Sequence, residues 1–387
     1  MKRVGFVVLT SNNWLGGINY FKNLLYAISK LKDKKIQPVL FFGTKENKNT
    51  IKYFSSYGVI VQSRILDRDN LWGLVNVALM RLLNWSFLLE KLFTENNIDV
   101  VSHSRFITGN KKIKTINWIV DFQHIYLPEM FSVIERMYRN ILFARYAKYS
   151  DIVILSSNSA YKDFKKIYPK YADKGKILHF VSQISENIHK CNDIAKVKRK
   201  YGFERKYFFL PNQLWRHKNH MVVLEAINFL KQQGKEVLVV CTGNMNDYRN
   251  SKYVNQIKDY IKRHNLQNNI LFLGLVDNNE FLTLFRHSLA VINPSLFEGW
   301  STTVEEAKSM NKDIILSDIE VHKEQNPSNS TYFDPNNGEE LAEKLWNKWQ
   351  KSKDKTYYKL EKFVLRDIAL KIADFGKKYQ EIILDIM

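Results

Sequence analysis

Residues 293–306 read NPSLFEGWSTTVEE and follow the apolar run Leu289–Ile292. The run predicts a strand, and a turn through Gly299 leads into a helix whose free backbone N–H groups can bind an anion. Two acids frame the turn, because Glu298 precedes the glycine and Glu306 lies more than one helical turn beyond it. A phosphate held between carboxylates predicts a ligand that is part phosphate and part polyhydroxyl, as nucleotide sugars are.

The binding interpretation gives each part of this stretch a task. Glu298 projects from the loop and Glu306 from the second turn of the helix. A diphosphate is held between them by the backbone and hydroxyl groups of Trp300, Ser301 and Thr302. The alternative is a helix that carries an exposed acid pair, Glu305 and Glu306. The residues alone favour neither interpretation.

The rest of the chain alternates apolar strands with amphipathic helices. Strands are predicted at 3–10, 37–42, 59–61, 100–102, 115–120, 152–155, 207–210, 237–242, 270–272, 289–292 and 314–317. Helices are predicted at 18–31, 129–148, 157–167, 220–233, 253–264 and 280–286, and again from 338 onward. Such alternation is typical of parallel, doubly wound sheets. The predicted class is therefore α/β, with Rossmann-like domains.

The length of 387 residues exceeds what one ordinary core holds, so about two domains are expected. The strand–helix pattern dissolves into a polar, basic segment at 182–201. We therefore predict an N-terminal domain at 1–190 and a C-terminal domain at 200–387, with the last helix a candidate to pack back on the first domain. Ligands are expected where the carboxyl ends of the two sets of strands meet a cleft.

The net charge of +20 is concentrated in the first 200 residues, which hold 33 Lys and Arg against 15 Asp and Glu. This asymmetry predicts that one domain meets a polyanion, with an anionic membrane surface as the candidate partner. A lysine-rich surface without any partner is the alternative. Nucleic acid is excluded as a partner, because the basic half lacks the aromatic-rich basic repeats or modules that bind it.

A cytoplasmic location is expected, with the inner face of the membrane as a second option. Cys191 and Cys241 match no metal-ligand spacing, and the apolar run that opens the chain is too short for a signal peptide. The apolar segment Leu71–Phe93 contains Arg81 and Glu90. A buried amphipathic helix is the favoured interpretation of this segment, and a helix on a membrane surface is the alternative.

Two further segments follow predicted strands and are rich in reactive groups. LPNQLWRHKNH at 210–220 offers Arg216 and Lys218 to a phosphate, the alternative being an ordinary basic loop. DFQHIYLPE at 121–129 places His124 at a strand end near Asp121, where a histidine is a candidate for catalysis. His103 follows another strand in the same way.

Two weaker patterns complete the set. The glycine pair Gly16-Gly17 precedes a helix, but it does not form a dinucleotide-binding fingerprint. Asp67-Arg68-Asp69 has the DxD pattern of some metal–diphosphate sites, but Asn70 and an apolar helix follow it, so helix capping is the favoured role. No metal site is predicted.

Together these segments resemble the retaining GT-B glycosyltransferases of family 4, also called the group 1 family. The resemblance is carried by the E-x7-E run from Glu298 to Glu306 with its PSLFEGW lead-in, and by His217-Lys218-Asn219, SDIEVHKEQ at 317–325, FLGLV at 272–276, YFDP at 332–335 and DFQHIYLPE. It implies a GT-B fold, in which two Rossmann-like doubly wound domains face a central cleft.

The resemblance also implies roles for single residues. Lys218 neutralises the donor diphosphate, Glu306 binds the ribose hydroxyls, Glu298 holds hydroxyls of the donor sugar, and His124 lies by the donor sugar and the acceptor. The remaining donor-binding positions are Gly16, Gly17, Gln213, Arg216, Gly274, Val276, Gly299, Trp300, Ser301 and Thr302. Gln213 departs from the family pattern, which has an arginine there, and Arg216 is the candidate replacement.

The implied activity is a retaining, metal-independent transfer of a hexose-type sugar from a UDP- or GDP-sugar to a glycan or lipid-linked acceptor. Bacterial surface polysaccharide synthesis is the expected setting, and no cofactor is needed. The alternatives are a nucleotide-sugar epimerase and a nonenzymatic nucleotide-sugar sensor on the same fold.

Overall fold

The computed structural model describes residues 1–8, 15–183, 193–245, 251–351 and 362–387. The chain forms two compact units. Unit 1 comprises Met1–Phe122, Val133–Val181 and Ala369–Met387, and unit 2 comprises Gln123–Ser132 and Ser182–Ile368.

The first part of the chain supplies a seven-stranded sheet. Its elements, in order, are β1 (Lys2–Val7), α1 (Leu15–Ser29), β2 (Ile36–Phe42), α2 (Lys48–Phe54), β3 (Val59–Gln62), α3 (Leu71–Leu83), α4 (Phe87–Glu95), β4 (Val100–Ser102), β5 (Lys114–Ile119), α5 (Gln123–Tyr126), α6 (Val133–Tyr149), β6 (Ile152–Leu155), α7 (Asn158–Ile167) and β7 (Gly175–Ile177). The strand order is β3-β2-β1-β4-β5-β6-β7, and the described pairings are parallel.

The second part supplies a six-stranded sheet. Its elements are α8 (Ile194–Tyr201), β8 (Phe208–Leu210), α9 (His220–Gln232), β9 (Val239–Cys241), α10 (Ser251–Arg263), β10 (Ile270–Phe272), α11 (Asn278–His287), β11 (Val291–Asn293), α12 (Thr302–Ser309), β12 (Ile314–Ser317), α13 (Glu320–Gln325), β13 (Ser330–Phe333), α14 (Gly338–Lys351) and α15 (Lys362–Leu384). The order β10-β9-β8-β11-β12-β13 is again parallel.

The core of unit 2 explains why this sheet is wound on both faces. Phe208 packs with residues of α9, α10 and α14, while its neighbour Phe209 packs with residues of α8, α11 and α12. Successive side chains of a strand point to opposite faces, so a continuous apolar strand requires a helical layer on each side. The predicted α/β class with two doubly wound parallel sheets is confirmed. The strand order reverses between β8 and β11, and in such sheets this edge is where ligands bind.

Several predicted boundaries differ from the structure. The strands β7 and β13 were not predicted, because β7 has three residues that begin with Gly175 and β13 begins with Ser330 and Thr331. The helix predicted from 129 begins at Val133, since Pro128–Met130 forms a separate 3-10 turn. Helix α1 begins at Leu15, so the glycine pair lies in its first turn and not in a loop before it.

The two units also differ from the predicted domain bounds. Gln123–Ser132 belongs to unit 2, although it lies within the predicted domain 1–190. Ala369–Met387 belongs to unit 1; it lies within 200–387 and forms most of the last helix, which was the candidate to pack on the first domain. Residues 184–192, which include Cys191 and much of the predicted boundary segment, lie outside the described residues. So do residues 9–14, which form most of the loop predicted before α1.

The segment Leu71–Phe93 is not one buried helix, as the favoured interpretation had it. It forms α3 and α4, whose axes meet at 107°. Across the described ranges, no single helix is long and apolar enough to span a membrane, and this bent pair passes such a test only as a pair.

Candidate functional site

The stretch 293–306 connects β11 to α12 at the point where the strand order of unit 2 reverses. Because β11 ends at Asn293 and α12 begins at Thr302, Glu298 stands in the loop and Glu306 in the second turn of the helix. This is the placement that the sequence predicted. Glu305 is buried, and its carboxylate accepts from Lys308 at 3.0 Å and from Gln325 at 2.9 Å. The exposed acid pair of the alternative interpretation is therefore wrong.

An ion pair joins the two loops at the strand reversal. Lys218 Nζ, in the loop after β8, donates to Glu298 Oε1 at 2.5 Å, and the Ser295 hydroxyl donates to the same oxygen at 2.6 Å. The two charged side chains are mostly buried, at 18% and 9% exposed. Burial tends to raise the pKa of Glu298, but the charge of Lys218 and the hydrogen bonds from Lys218 and Ser295 outweigh it and hold the pKa below its ordinary value.

A buried asparagine anchors both loops beneath this pair. Asn293 is fully buried, and its Oδ1 accepts from Asn212 Nδ2 at 2.9 Å. The Ser295 hydroxyl also lies 2.9 Å from that oxygen, and Asn293 Nδ2 donates to the Ser301 hydroxyl at 2.7 Å. One amide therefore fixes the loop that carries Lys218, the loop that carries Glu298 and the start of α12.

His322 on α13 contacts the buried amide of Asn293. Its Nδ1–H donates to the Ser317 carbonyl at 2.9 Å, which leaves Nε2 to face Asn293 Nδ2 at 3.4 Å. Burial lowers the pKa of His322 to about 4, although Glu298 opposes the shift. At neutral pH the ring is therefore neutral, and it contributes hydrogen bonds but no charge.

Glu306 has a different environment from Glu298. It is partly buried, and no hydrogen bond or ion pair to its carboxylate is found within the described ranges. Desolvation by burial raises the pKa of Glu306 to about 8, because burial removes water that would stabilise the ionised carboxylate. Of the two acids in the E-x7-E run, one is neutralised within the protein, and the other retains its capacity to accept hydroxyl hydrogen bonds from a ligand.

The N-terminus of α12 is less open than the sequence suggested. The Ser301 N–H donates to Gln325 Oε1 at 3.0 Å, and Gln325 Nε2 donates back to the Ser301 carbonyl at 3.0 Å. The Ser301 hydroxyl already accepts from Asn293, and Trp300 is buried. Of the three predicted phosphate contacts, Thr302 is the one that remains half-exposed at the first turn of the helix.

The main chain after β8, β9 and β10 lies in the same layer of unit 2. Gly243 has φ +130°, and a Cβ atom built on it would lie 2.9 Å from the main chain of Asn212 and Gln213, so the loops touch only because this residue is glycine. The Gly243 N–H donates to the Gly274 carbonyl at 2.8 Å. Gly274, with φ +70°, is thus bonded to the loop after β9, and the donor-binding role of Gly274 and Val276 stays a prediction.

The two basic residues of the 210–220 loop have different surroundings. Lys218 points to Glu298, whereas Arg216 is exposed. Gln213 is half-buried beside Gly243. The replacement of the family arginine by Arg216 therefore stays a prediction.

His124 belongs to unit 2, together with the turn that carries Glu298. It is buried on α5, with its ring edge-on to Phe131 at 6.4 Å. Two residues further on, Tyr126 stacks on Phe297 at 5.4 Å between ring centroids. Phe297 directly precedes Glu298, so this stacking fixes the His124 segment against the loop of the E-x7-E run.

Other predicted candidates have structural surroundings within unit 1. Gly16 and Gly17 lie in the first turn of α1. His103 bonds the Tyr20 hydroxyl at 2.9 Å and the Ser102 hydroxyl at 2.7 Å, and burial lowers its pKa to about 3. It lies in an aromatic cluster in which Tyr20 stacks on Trp118 at 4.0 Å.

The two aspartates of the DxD pattern, Asp67 and Asp69, contact different partners and do not share a site. Asn70, and neither aspartate, caps α3 through the Gly73 N–H at 2.9 Å. Asp67 accepts from the Thr44 hydroxyl at 2.5 Å, and Asp69 pairs with Lys45. Within the residues that the structure describes, no group of three or more His, Cys, Asp or Glu side chains is placed to hold a metal ion.

Sequence reasoning missed the polar residues that position the site: Asn212, Asn293, His322 and Gln325. All four lie within the motifs named above, but the sequence pattern indicates no role for any of them. A polar residue at the end of a buried strand was the available signal for Asn293, since such a residue needs internal hydrogen-bond partners.

Residues 193–361 match the family described as "Glycosyl transferases group 1". An uncharacterized glycosyltransferase of Methanocaldococcus jannaschii is 25% identical over 188 residues, which are 48% of this chain and 44% of that protein. The O-antigen chain mannosyltransferase RfbU of Salmonella typhimurium is 24% identical over 231 residues, which are 58% of this chain and 57% of that protein. The chain thus matches about half of the length of these curated relatives.

Solved structures are similar over nearly the whole chain. The crystal structure of HepE from Anabaena in complex with UDP and glucose has a TM-score of 0.67 at 14% identity and covers 99% of both chains. That of WaaG, a glycosyltransferase involved in lipopolysaccharide biosynthesis, has a TM-score of 0.61 at 13% identity, with 97% of this chain and 95% of that chain covered. At such identities the likeness shows the fold alone, and it confirms the predicted GT-B fold.

Proposed function

We propose, from the match of residues 193–361 to the glycosyl transferases group 1 family, that the chain is a retaining, metal-independent glycosyltransferase. It moves a hexose-type sugar from a UDP- or GDP-sugar to a glycan or lipid-linked acceptor. The observation that carries the proposal is the contrast at the strand reversal of unit 2, where Lys218 is paired with Glu298 while the carboxylate of Glu306 has no hydrogen-bond or ionic partner among the described residues.

This contrast fits a donor that combines a diphosphate with hydroxyl groups. Glu306 accepts the ribose hydroxyls, because none of the residues that the structure describes bonds its carboxylate. Lys218 meets the diphosphate, and Glu298 transfers its hydrogen bonds to the donor sugar as the lysine turns to the phosphate. Lys218 thus exchanges a carboxylate for a phosphate, and Glu298 keeps the Ser295 hydrogen bond and gains those of the sugar hydroxyls, so neither buried group is left without polar partners.

The chemistry then depends on charge stabilisation at the leaving group. Departure of the nucleoside diphosphate builds negative charge on the bridging phosphate oxygen, and a fixed cation in a dry site stabilises that charge strongly. Lys218 supplies this cation, so the proposed reaction needs neither a metal nor another cofactor. The acceptor hydroxyl attacks the face from which the diphosphate leaves and gives its proton to the departing phosphate, so the bond to the diphosphate breaks as the new glycosidic bond forms and the anomeric configuration is retained. His124 lies beside the donor sugar and the acceptor.

Names of similar proteins support the class of substrate. HepE, which shares the fold, has been crystallised with UDP and with UDP-glucose. RfbU is a mannosyltransferase of the O-antigen chain, and WaaG acts in lipopolysaccharide biosynthesis. We therefore place the proposed activity in the synthesis of bacterial surface polysaccharide.

A panel of UDP- and GDP-sugars tests the proposal in two steps. The cognate donor is expected to raise the melting temperature, since a ligand at 100 times its Kd adds about 2.7 kcal/mol to stability. Donor hydrolysis or transfer is then compared in wild type, Lys218→Ala, Glu306→Ala and the control Lys308→Ala, which removes a lysine from a different Glu pair on α12. Full activity in Lys218→Ala would overturn the phosphate assignment.

Two further measurements separate the alternatives. Stabilisation by a donor without any turnover identifies a sensor, and a donor that returns as its epimer identifies an epimerase. NMR of the product anomer tests retention, and activity in excess EDTA tests metal independence.

A further inference from the structure

Helix α3 of unit 1 presents apolar side chains to solvent. Leu71, Leu74 and Leu82 are 71%, 53% and 72% exposed. The residues that α3 buries are Gly73 and Asn76, and Asn76 donates to a main-chain carbonyl at 3.1 Å. A surface helix in water ordinarily has the reverse arrangement, with polar residues outward. The spacing of the exposed leucines, at three and eight residues, places them in one stripe.

Helix α6 carries a second exposed stripe. Ile134, Tyr138 and Ile141 follow one another at helical spacing, and they are 79%, 38% and 57% exposed. The opposite side of α6 contributes Leu142 and Phe143 to the core of unit 1. The exposed residues therefore do not contribute to the core that holds this helix in place. A contiguous exposed apolar surface of this kind marks an interaction site.

Arg145 joins the two stripes. Its Nη1 donates to the Leu82 carbonyl at 2.6 Å, and its Nη2 donates to the Leu83 carbonyl. Arg145 lies four residues after Ile141, on the same side of α6, and Leu82 is the last member of the α3 stripe. The two stripes therefore meet and form one surface, which we call the α3–α6 face: Leu71, Leu74, Leu82, Ile134, Tyr138 and Ile141.

Basic residues accompany this face. Helix α6 itself has four cationic side chains and one acid, Glu135. The loop at 108–112 is fixed to α4 by bonds from Thr108 and Asn110 to Glu90, and it ends in two exposed lysines. The cations on the side of the stripe are Arg145 and Lys148 on α6, with Lys111 and Lys112 on the loop, whereas Arg136 and Arg139 lie about 200° and about 140° around α6 from Ile134.

We propose that the α3–α6 face binds the surface of an anionic lipid bilayer. The apolar stripes enter the headgroup region, and the cations contact lipid phosphates. Trp72, which is 57% exposed beside the α3 stripe, lies at the membrane–water interface, where tryptophan is favoured. A second copy of the chain fits the face less well, because a symmetric contact would set the α6 cations of one copy against those of the other.

The inference does not depend on the transferase activity, so its test needs no donor. The full chain is floated with phosphatidylcholine vesicles, with and without phosphatidylglycerol. We expect binding only to the anionic vesicles and weakening with salt. The double variant Leu74→Ser, Ile134→Ser is expected to lower the partition coefficient by about tenfold or more, since each side chain transfers less apolar area to lipid.

Matched controls isolate the face. Ile167→Ser with Leu370→Ser changes two exposed apolar residues elsewhere in unit 1 and is expected to bind like wild type. Lys111→Gln, Lys112→Gln and Lys148→Gln together are expected to lower binding to anionic vesicles, whereas the α10 triple Lys252→Gln, Lys258→Gln, Lys262→Gln is not. The substituted side chains are exposed, so melting temperatures are expected to stay unchanged in all variants.

Tryptophan fluorescence gives a second readout. Brominated lipid is expected to quench wild type more than Trp72→Phe. Equal binding to neutral vesicles, or full binding by the Leu74→Ser, Ile134→Ser variant, would overturn the proposal. So would dimers that form without vesicles and dissociate in that variant, because they would assign the face to a second copy.

Discussion

Lys218 and Glu298 are 80 residues apart in the chain, and their Nζ and Oε1 atoms lie 2.5 Å apart in the structure. The pair links the loop after β8 to the loop after β11, on the two sides of the strand reversal in unit 2. A lysine and a carboxylate that compensate each other while largely buried form a site that a charged ligand can enter by exchange of partners.

Lys218→Met removes the cation and leaves Glu298 buried without it. We expect kcat/KM for sugar transfer to fall about 100-fold or more, as for the loss of one charge-stabilising donor. We also expect about 3 kcal/mol of destabilisation near neutral pH, which urea denaturation measures. Lys308→Met is the control. It removes the lysine that pairs with Glu305 on α12 and leaves Lys218, the proposed phosphate ligand, in place.

The pH dependence of Lys218→Met has a definite sign. In wild type the pKa of Glu298 is below its ordinary value. The ionised carboxylate therefore stabilises the fold fully at any pH above the ordinary pKa, and this stabilisation is lost as the pH falls through the lowered pKa. Without Lys218, burial raises the pKa of Glu298. The stability deficit of the variant is therefore expected to shrink as the pH falls below about 5. The free energy of unfolding is measured at intervals of about one pH unit. A difference between wild type and variant that stays constant from about pH 4 to about pH 8 would contradict the pairing.

Glu306→Gln tests the second acid. The pKa of Glu306 is about 8 in the folded protein against 4.5 ordinarily, so the folded state binds the extra proton between these values and stability falls as the pH rises through them. Glutamine removes this cost. The variant is expected to match wild type near about pH 4 and to be more stable above about pH 8, by up to about 5 kcal/mol, because each unit of the shift from 4.5 to about 8 corresponds to about 1.4 kcal/mol. Melting temperatures across this pH range provide the measurement.

Donor affinity gives Glu306 a second test. If its carboxylate accepts ribose hydroxyls, ionisation strengthens binding, and the affinity of wild type for UDP- or GDP-sugar rises as the pH passes through about 8. Glu306→Gln is expected to bind the donor more weakly and to lose this rise. Calorimetry with a nucleotide sugar measures both effects. A rise that persists in the variant assigns the titrating group elsewhere.

Asn293→Ala tests the anchor beneath the pair. The change removes a fully buried amide and leaves Asn212 and the Ser301 hydroxyl without their partner. We expect about 2 kcal/mol of destabilisation together with a clear loss of kcat. Asn269→Ala is the matched control, because Asn269 is also buried but bonds the Val237 carbonyl, away from Lys218 and Glu298. The control is expected to lose stability and to retain kcat.

The contact between Tyr126 and Phe297 is tested by a double-mutant cycle. Their rings stack at 5.4 Å, and pairs of this kind contribute about 0.5 to 1.5 kcal/mol beyond area burial. Tyr126→Ala, Phe297→Ala and the double variant are expected to show a coupling of this size in kcat/KM, because the contact positions His124. Additive effects would show that the two residues act independently of each other.

The strand–helix alternation and the acid spacing could be predicted from the sequence because both are local. Apolar runs such as Ile152–Leu155 and Ile314–Ser317 are bounded by polar residues, and the structure gives both strands the predicted limits. The strands β7 and β13 escaped prediction, since three or four residues with polar members become a strand only when a neighbouring strand supplies hydrogen bonds.

The exposure of α3 could not be predicted for a related reason. Hydrophobic periodicity identifies a helix with an apolar stripe, but it does not state whether that stripe faces a core or solvent. The sequence favoured burial for Leu71–Phe93. The structure instead buries Gly73 and Asn76 and turns Leu71, Leu74 and Leu82 outward.

By itself the sequence determined the α/β class, the loop position of Glu298 and the helical position of Glu306, because chain-local geometry decides each of these. Only the tertiary structure decided that Lys218 pairs with Glu298, that Asn293 anchors both loops, and that Gln123–Ser132 belongs with unit 2. These contacts join residues that are distant in the chain, and the parallel strand order brings them to one edge of a sheet.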